Sequence, residues 1–185
     1  MVYRVGIIVS STRLTRVGRD IADAIYDQIH LYRRLDYEII DLLEWNLLIF
    51  NEPEIPSKGV YVHDLTKRWS KTIASKDAFT LMIPQYNWGY PASLNNAIDY
   101  LYSGWNNKPA MIISYANRGG GKAAAQLRQV LEGLRMRPID SMPGIKIGDL
   151  NLKGVDQLVG EYINEIRGGL DQIIECSQLS CCDTL

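Results

Sequence analysis

A chain of 185 residues with 46% hydrophobic side chains can bury the core of one domain. Its formal net charge is -1, from 20 Lys and Arg against 21 Asp and Glu, which argues against a dedicated nucleic-acid binder because such proteins carry a basic excess. No apolar run reaches the length of a membrane span, and the apolar stretch near the N-terminus is too short for a signal peptide.

The cysteines and histidines predict neither a disulfide framework nor a metal centre. Cys176, Cys181 and Cys182 all lie near the C-terminus, which fits a reducing compartment. His30 and His63 have no partners at metal-ligand spacing. We therefore expect a cytoplasmic protein without a metal site.

Strand-like and helix-like segments alternate from the N-terminus onward. Residues 4–10 form a near-continuous apolar run, which is typical of a strand buried on both faces. Apolar residues then recur at helical spacing over 21–29, which predicts a helix. A second strand is predicted over 38–42, and 44–61 is predicted as a loop because it contains two prolines and a glycine.

The middle of the chain continues the alternation. A helix is predicted over residues 64–76, and a third strand follows over 78–83. Apolar residues at helical spacing over 94–101 precede a fourth strand over 110–114. The same helical spacing recurs over 127–134.

The C-terminal part is less regular. Residues 138–147 contain a weaker fifth strand, interrupted by proline and glycine, and residues 155–173 carry the pattern of one long amphipathic helix. Five βα units predict an α/β fold, in which a parallel sheet has helices on both faces and right-handed crossovers. We expect one domain over 1–177 and a polar C-terminal tail over 178–185.

The loops after the first, third and fourth strands are the predicted site, because parallel sheets bind ligands beyond the carboxyl ends of their strands. The first loop carries Ser11, Arg13 and Arg16 before a helix begins. Hydroxyls, forked cationic donors and a helix N-terminus suit a phosphate group. The alternative is an ordinary turn with a Ser or Thr cap and two solvated arginines.

The second loop combines aromatic and amide side chains between Pro84 and Pro91. The two prolines restrict the backbone, and Gly89 lets the main chain approach a ligand closely. Tyr86, Trp88 and Tyr90 suit a planar heterocycle that needs both stacking and hydrogen bonds at its edge. Each aromatic alone is better explained by packing in the core or at an interface, but the whole string favours a ligand.

The third loop is glycine-rich. Gly119-x-Gly121-x-x-Ala124 fits the letters of a dinucleotide fingerprint, but it follows the fourth strand instead of the first. It is not a phosphate-binding P-loop either, since Ala116 and Ala123 stand where that motif needs Gly and Ser or Thr. A flexible glycine-rich start of a helix is the alternative.

The segment PQYNWGYPASLNNAIDYLY, residues 84–102, resembles the flavin-contacting segment of the NADPH-dependent FMN reductase family. That family includes yeast-type NAD(P)H quinone reductases and bacterial chromate and azo-dye reductases. The first loop is similar to the family's GSxRxxS phosphate motif at Ser11 and Arg13, with Ser10 replacing the Gly and Arg16 the second Ser. The third loop resembles SYGGxGG, and the resemblance covers roughly residues 4–135.

This resemblance implies a flavodoxin-like three-layer sandwich with a five-stranded parallel sheet in the order 2-1-3-4-5. It also implies an FMN-dependent enzyme that passes a hydride from NADPH or NADH through the flavin to quinones or similar small acceptors. The flavin carries the chemistry, so no catalytic side chain is expected. The predicted cofactor-binding residues are Ser11, Arg13, Arg16, Val17 and Gly18 in the first loop, Pro84, Gln85, Tyr86, Asn87, Trp88 and Gly89 in the second, and Ser114, Tyr115, Gly119 and Gly120 in the third.

Two other functions share this fold. A flavodoxin would be a pure electron carrier, but flavodoxins are strongly acidic, whereas this chain is nearly neutral. Arg13, Arg16, Arg118 and Lys122 in the site loops favour an anionic dinucleotide, and therefore an enzyme. A redox-sensing interaction protein that binds FMN with little turnover remains an alternative.

The sequence gives less information about subunit association and about the C-terminal tail. Family members resembling this chain are usually homodimers or homotetramers, and the final helix and the apolar residues near Leu101–Trp105 are candidates for an interface. Ordinary core packing also explains them. The last four residues, from Cys182, fit the C-a-a-X lipidation frame, but no polybasic stretch precedes them, and a mobile polar tail is favoured.

Overall fold

The computed structural model describes residues 2–32 and 35–182. The strands in these residues are β1 (Tyr3–Val9), β2 (Leu35–Asp41), β3 (Ala78–Pro84), β4 (Pro109–Ala116), β5 (Arg137–Pro138) and β6 (Gly144–Lys146). The α-helices are α1 (Gly18–Ile29), α2 (Leu42–Trp45), α3 (Asp64–Ala74), α4 (Ala92–Asp99), α5 (Gly121–Gly133), α6 (Leu150–Lys153), α7 (Val155–Gly160) and α8 (Ile163–Cys182). Short 3-10 turns cover Pro56–Lys58 and Ile147–Asp149.

All strand pairs are parallel, and the sheet order is β2-β1-β3-β4-β5, which confirms the predicted fold and order. The fifth position is divided between two short strands. β5 pairs with the start of β4 at Pro109 and Ala110, and β6 pairs with its end at Ser114–Ala116. Proline at positions 138 and 143 removes ladder donors, which accounts for the interruption.

Two apolar cores lie on opposite faces of the sheet and give the fold three layers. On one face, α1, α7 and α8 contribute Ile21, Leu158 and Ile166 to a buried cluster with β1. On the other face, α3, α4 and α5 cover the sheet. β3 and the first seven residues of β4 are buried throughout, as expected for central strands of a parallel sheet.

The single long helix predicted over 155–173 is wrong. The chain forms α7 and α8 instead, separated by a turn at Glu161 and Tyr162. Gly160 weakens the helix there, and the Glu161 amide bonds the Leu158 carbonyl three residues back, which tightens the last turn. Apolar spacing continues through the break because both helices pack on the same core, so periodicity alone does not reveal it.

Leu101 and Trp105, which the sequence offered for a subunit interface, are buried within the chain. Their exposed fractions are 2% and 1%. Trp105 packs against Trp69 and Phe79, and its indole N–H donates to the Ile98 carbonyl. Core packing, the alternative explanation, therefore accounts for these residues.

The helices also bear on the predicted C-terminal tail and on a possible membrane span. α8 continues to Cys182, so residues 178–182 are helical, whereas residues 183–185 and their lipidation frame lie outside the described part of the chain. Among the described helices, none combines the length and apolarity needed to cross a bilayer.

Candidate functional site

A cavity of about 300 Å³ lies at the carboxyl ends of β1, β3 and β4. The three loops selected from the sequence meet here, together with the residue that follows β6. The lining residues are Ser11, Arg13, Thr15, Arg16, Val17, Pro84, Gln85, Tyr86, Tyr115, Ala116, Asn117 and Ile147.

Hydrogen bonds between loop and sheet fix the first loop. The Ser10 hydroxyl donates to the Met82 carbonyl at 2.6 Å, and the Ser10 carbonyl accepts from the Ser93 hydroxyl at 2.5 Å. The hydroxyls of Ser11 and Tyr86 lie 2.8 Å apart. The first two loops are therefore held together before any ligand binds, which reduces the entropic cost of binding.

The two arginines of the first loop have different surroundings. Both terminal nitrogens of Arg16 bond the carboxylate of Asp41, at 2.5 and 2.6 Å, and one also donates to the Ser11 carbonyl at 2.8 Å. Arg16 therefore positions the loop through a fixed ion pair. Arg13 is exposed, and its guanidinium carbon lies 6.0 Å from the centre of the Tyr86 ring. Arg13 is thus the cation of this loop that can meet an anion.

Tyr115 places a buried hydroxyl at the cavity. The residue is 3% exposed, and its hydroxyl lies near the Ser11 side chain but makes no hydrogen bond of good geometry among the described residues. A Cβ at Gly18 would lie 2.2 Å from this oxygen, so only glycine leaves room for it. Burial, reinforced by the nearby Tyr86 phenol, raises the pKa of Tyr115 well above its ordinary value. The hydroxyl therefore stays protonated and can donate to a ligand oxygen.

The second loop forms a tight turn. Tyr86 and Gly89 exchange two backbone hydrogen bonds of 2.9 Å, and the residues between them have positive φ angles, 46° at Asn87 and 75° at Trp88. Asparagine tolerates this conformation, but for a bulky aromatic it costs about 1–3 kcal/mol. Within the described structure, the amides of Asn87 and Trp88 donate to no protein acceptor, so both are available to a ligand.

The third loop divides into shaping and lining residues. Gly119 and Gly120 have φ angles of 84° and 82°, and the buried Ser114 hydroxyl donates to the Gly119 carbonyl at 2.6 Å. These three residues build the turn into α5. Tyr115 and the two residues after it line the cavity instead.

Eight of the fifteen predicted residues line the cavity, namely Ser11, Arg13, Arg16, Val17, Pro84, Gln85, Tyr86 and Tyr115. The other seven, Gly18, Asn87, Trp88, Gly89, Ser114, Gly119 and Gly120, lie beside it in the same loops. The sequence prediction missed four lining residues, Thr15, Ala116, Asn117 and Ile147.

The missed residues differ in whether the sequence signalled them. Thr15, Ala116 and Asn117 lie within the predicted loops, so a prediction that included every residue of each loop would have found them. Ile147 reaches the cavity only because Ala116 pairs with Lys146 in the sheet. No local pattern indicates that pairing, since β6 is three residues long.

A doubly wound parallel sheet with an anion cradle and an aromatic, amide-lined loop at one cleft defines a flavodoxin-like nucleotide-binding protein. Comparison with known proteins agrees. The family profile described as NADPH-dependent FMN reductase matches residues 3–146. An NAD(P)H-dependent FMN reductase of Schizosaccharomyces pombe is 40% identical over 94% of this chain and 88% of its own length. A quinone reductase of Pseudomonas putida is 33% identical over 80% of this chain and 78% of its own length.

Solved structures share the fold. The flavoenzyme NAD(P)H:(acceptor) oxidoreductase FerB from Paracoccus denitrificans superposes with a TM-score of 0.77 at 19% identity, covering 96% of this chain and 98% of its own. A Fusobacterium nucleatum flavodoxin bound to flavin mononucleotide has a TM-score of 0.55 at 14% identity, covering 90% and 98%. This chain belongs to the NADPH-dependent FMN reductase family. It is an FMN-dependent NAD(P)H oxidoreductase.

The residues present fit FMN. A buried tyrosine hydroxyl without a well-formed hydrogen bond and an exposed arginine suit its phosphate or its hydroxylated chain. Free amides at the tip of an aromatic turn suit the edge of a flat ring with carbonyl and imide groups. Within the described residues, no cluster of three or more potential metal ligands competes with this assignment.

Proposed function

We propose that this chain reduces quinones or similar small aromatic acceptors with electrons from NADPH or NADH, and that the cleft between its three loops holds the FMN. The observation that carries the site is Tyr115, a lining residue of the cavity whose buried hydroxyl makes no hydrogen bond of good geometry among the described residues. A buried donor left unpaired is costly, so a ligand oxygen there would recover the lost hydrogen bond.

Each loop has a distinct task in this proposal. Ser11, Arg13 and Thr15 bind the phosphate, aided by the amide of Val17 at the start of α1. Gln85, Tyr86 and the tip of the turn receive the ring. Gly18 makes room for Tyr115 at the start of α1.

The chain supplies position and electrostatics, while bound FMN supplies hydride acceptance from a nicotinamide and delivery of two electrons to an acceptor. Arg13 and the free amides of the turn stabilise negative charge at the cleft. Tyr115 keeps its proton because burial raises its pKa. No side-chain acid or base is required of the protein.

Two observations favour an enzyme over an electron carrier. The net charge is -1, and Arg13, Arg118 and Lys122 lie exposed around the cleft, so an anionic dinucleotide is attracted. The P. putida relative is named a quinone reductase, which supports a quinone as the acceptor.

The test is oxidation of NADPH and NADH by the flavin-loaded protein with a quinone, ferricyanide or free flavin as acceptor. We expect steady turnover with a quinone. Absence of oxidation with every acceptor would contradict the proposal. Slow flavin reduction, combined with binding of a protein partner that depends on the flavin's redox state, would favour the sensor.

We also propose that the chain forms a homodimer or homotetramer in the cytoplasm. A surface of exposed apolar side chains supports the interface, and we call it the 43–62 surface; it consists of Leu43, Leu48, Ile49, Ile55, Val60 and Val62, each 40–86% exposed. Exposed apolar side chains concentrated in one segment of the chain favour an interaction site there. The cytoplasmic location rests on the absence of a disulfide framework in the sequence.

The backbone of this surface is already ordered. Asn96 accepts from the Phe50 amide at 2.9 Å and donates to the Leu48 carbonyl at 2.7 Å. The Tyr100 hydroxyl donates to the same carbonyl at 2.8 Å. A fixed loop loses little conformational entropy on association, which favours a stable interface.

A further inference from the structure

Trp88 lies at the mouth of the cleft in a conformation that a tryptophan rarely adopts. Its φ of 75° belongs to the left-handed region, which favours glycine or asparagine. Its side chain is 64% exposed, so packing within the chain does not compensate for this conformation. Trp69 and Trp105, in contrast, are almost fully buried. Backbone strain of this kind is found most often at functional sites, where it holds a side chain in position for a ligand.

A cation accompanies the exposed ring. The Lys122 ammonium lies 5.9 Å from the centre of the Trp88 ring, within the range of a cation–π contact. Lys122 stands in the first turn of α5, and the turn that carries Trp88 packs beside it, since a Cβ at Gly89 would lie 3.2 Å from the Gln126 amide oxygen. Arg118 is exposed in the adjoining loop. The ring and the Lys122 ammonium therefore lie together beside the cleft, and Arg118 is a second exposed cation in the neighbouring loop.

We infer that Trp88 and Lys122 form a docking platform for a planar ring that is linked to a negatively charged group. The indole face stacks on the ring, and the ammonium pairs with the charge. This inference rests on the proposed function and deepens it, because two reactants of that function have this chemistry. One is the nicotinamide dinucleotide, whose planar rings are linked to anionic phosphates, and the other is a quinone with an acidic substituent.

The turn explains why the side chain takes this position. Asn87 and Trp88 are both left-handed, as in the tightest two-residue hairpin, and Tyr86 at its base lines the cavity. Glycine at position 88 would relieve the backbone but would remove the ring. The chain thus accepts strain to hold a rigid aromatic surface next to the cofactor cleft, where a second reactant must approach.

The experiment is isothermal titration calorimetry of the oxidised, flavin-loaded protein with two probes that it cannot turn over, NADP+ and anthraquinone-2-sulfonate. Trp88→Asn removes the ring and suits the positive φ, Trp88→Phe keeps a ring, and Lys122→Gln removes the charge. Leu31→Asn, which alters an 88% exposed apolar residue distant from the cleft, is the matched control.

We expect Trp88→Asn to weaken binding of at least one probe about tenfold, as for loss of one stacked base, and Trp88→Phe to weaken it less. The probe that loses affinity identifies which reactant uses the platform. Lys122→Gln should weaken the same probe about threefold. The melting temperature of Trp88→Asn should not fall, because the lost ring is exposed and the strain is relieved.

Unchanged affinity for both probes in Trp88→Asn would overturn the platform and leave the proposed function standing. Equal losses in Leu31→Asn would also overturn it, since the effect would then be unspecific. Failure of the unaltered protein to retain flavin or to oxidise NAD(P)H would instead contradict the proposed function.

Discussion

Asp41 is fully buried at the end of β2, and Arg16 pairs with both of its carboxylate oxygens. The same carboxylate accepts from the Leu43 amide at 3.0 Å and so caps α2. Asp41 therefore connects β2 to the first loop without lining the cavity. Because Arg16 also holds the Ser11 carbonyl, a change at Asp41 should reach the cofactor through the loop.

Substitution Asp41→Asn keeps a cap for α2 but leaves Arg16 charged and unpaired in a largely buried position. Breaking such a pair should lower the free energy of unfolding by about 3 kcal/mol. FMN affinity should fall as well, because the loop loses its anchor. Urea unfolding and a flavin fluorescence titration measure the two effects.

Asp23→Asn is the control for this substitution, because Asp23 also pairs with an arginine, Arg19, but at the surface. Its cost should stay below about 1 kcal/mol. Equal, small effects of the two substitutions would show that the buried pair does not organise the loop.

At this scale the sequence predicted residue types better than roles. It placed Arg16 at the cavity, where the structure has it, but nothing local shows that Asp41, 25 positions later, pairs with its terminal nitrogens. Gly18 is likewise predicted to contact the cofactor, and the structure shows in addition that it accommodates Tyr115. Both additional roles arise from contacts between distant parts of the chain, and the two cofactor contacts remain predictions.

At the scale of secondary-structure elements, one carboxylate holds the conformation of the segment between α2 and α3. Glu52 is 8% exposed and accepts from the amides of Val62 and His63 at 2.7 and 3.0 Å. Burial alone would raise the pKa of Glu52, but the nearby Thr66 hydroxyl and the two amides outweigh it, so the pKa is lowered. This carboxylate closes the loop that carries the 43–62 surface.

A lowered pKa stabilises the folded state above the ordinary glutamate pKa of about 4.3, and this contribution is lost as the pH falls through the folded-state value. Glu52→Gln should therefore cost about 1–3 kcal/mol near neutral pH, and its free energy of unfolding should depend less on pH than that of the unaltered protein. Unfolding at several pH values between about 7 and 3 measures this.

Glu54→Gln serves as the control for Glu52, since Glu54 forms an exposed pair with Lys58. It should retain the acid dependence of the unaltered chain. If Glu52→Gln loses as much free energy of unfolding on acidification as the unaltered protein, Glu52 is not the source of that pH dependence.

Two adjacent glycines of α8 make the packing of that helix testable. A Cβ at Gly168 would meet nothing within 4 Å, whereas a Cβ at Gly169 would lie 2.4 Å from the Met111 sulfur of β4. Gly168→Ala should raise the free energy of unfolding by up to about 1 kcal/mol, because alanine has the higher helix propensity. Gly169→Ala should lower the free energy of unfolding by about 1–3 kcal/mol, because the added methyl group overpacks the contact with β4. The same sign for both, measured by urea unfolding, would show that α8 does not pack closely on β4.

Elements with long, uniform patterns were predictable from the sequence, and those set by tertiary pairing were not. The apolar runs of β1 and β3 indicated buried strands, and their order follows from the family resemblance. The divided fifth strand depends on where β4 offers partners. The break between α7 and α8 is invisible because both helices present apolar residues to one core.

At the scale of the whole molecule, the 43–62 surface predicts how subunits associate. Ile49 is 86% exposed, so Ile49→Asp should not disturb the fold but would place a charge in an apolar interface. We expect the protein to dissociate at concentrations where the unaltered chain is a dimer or tetramer, as measured by analytical ultracentrifugation. Leu31→Asp, equally exposed but outside this surface, should leave the assembly intact. Dissociation by both variants, or by neither, would contradict the interface.

The central claim is that the three loops form one FMN site with the phosphate at the first loop. The direct test is titration of the flavin-free protein with FMN and with riboflavin, which lacks the phosphate. We predict saturable binding of FMN and binding of riboflavin weaker by at least about tenfold, because Arg13 and the α1 N-terminus would lose their anion. Absence of FMN binding, or equal affinity for the two flavins, would contradict the account.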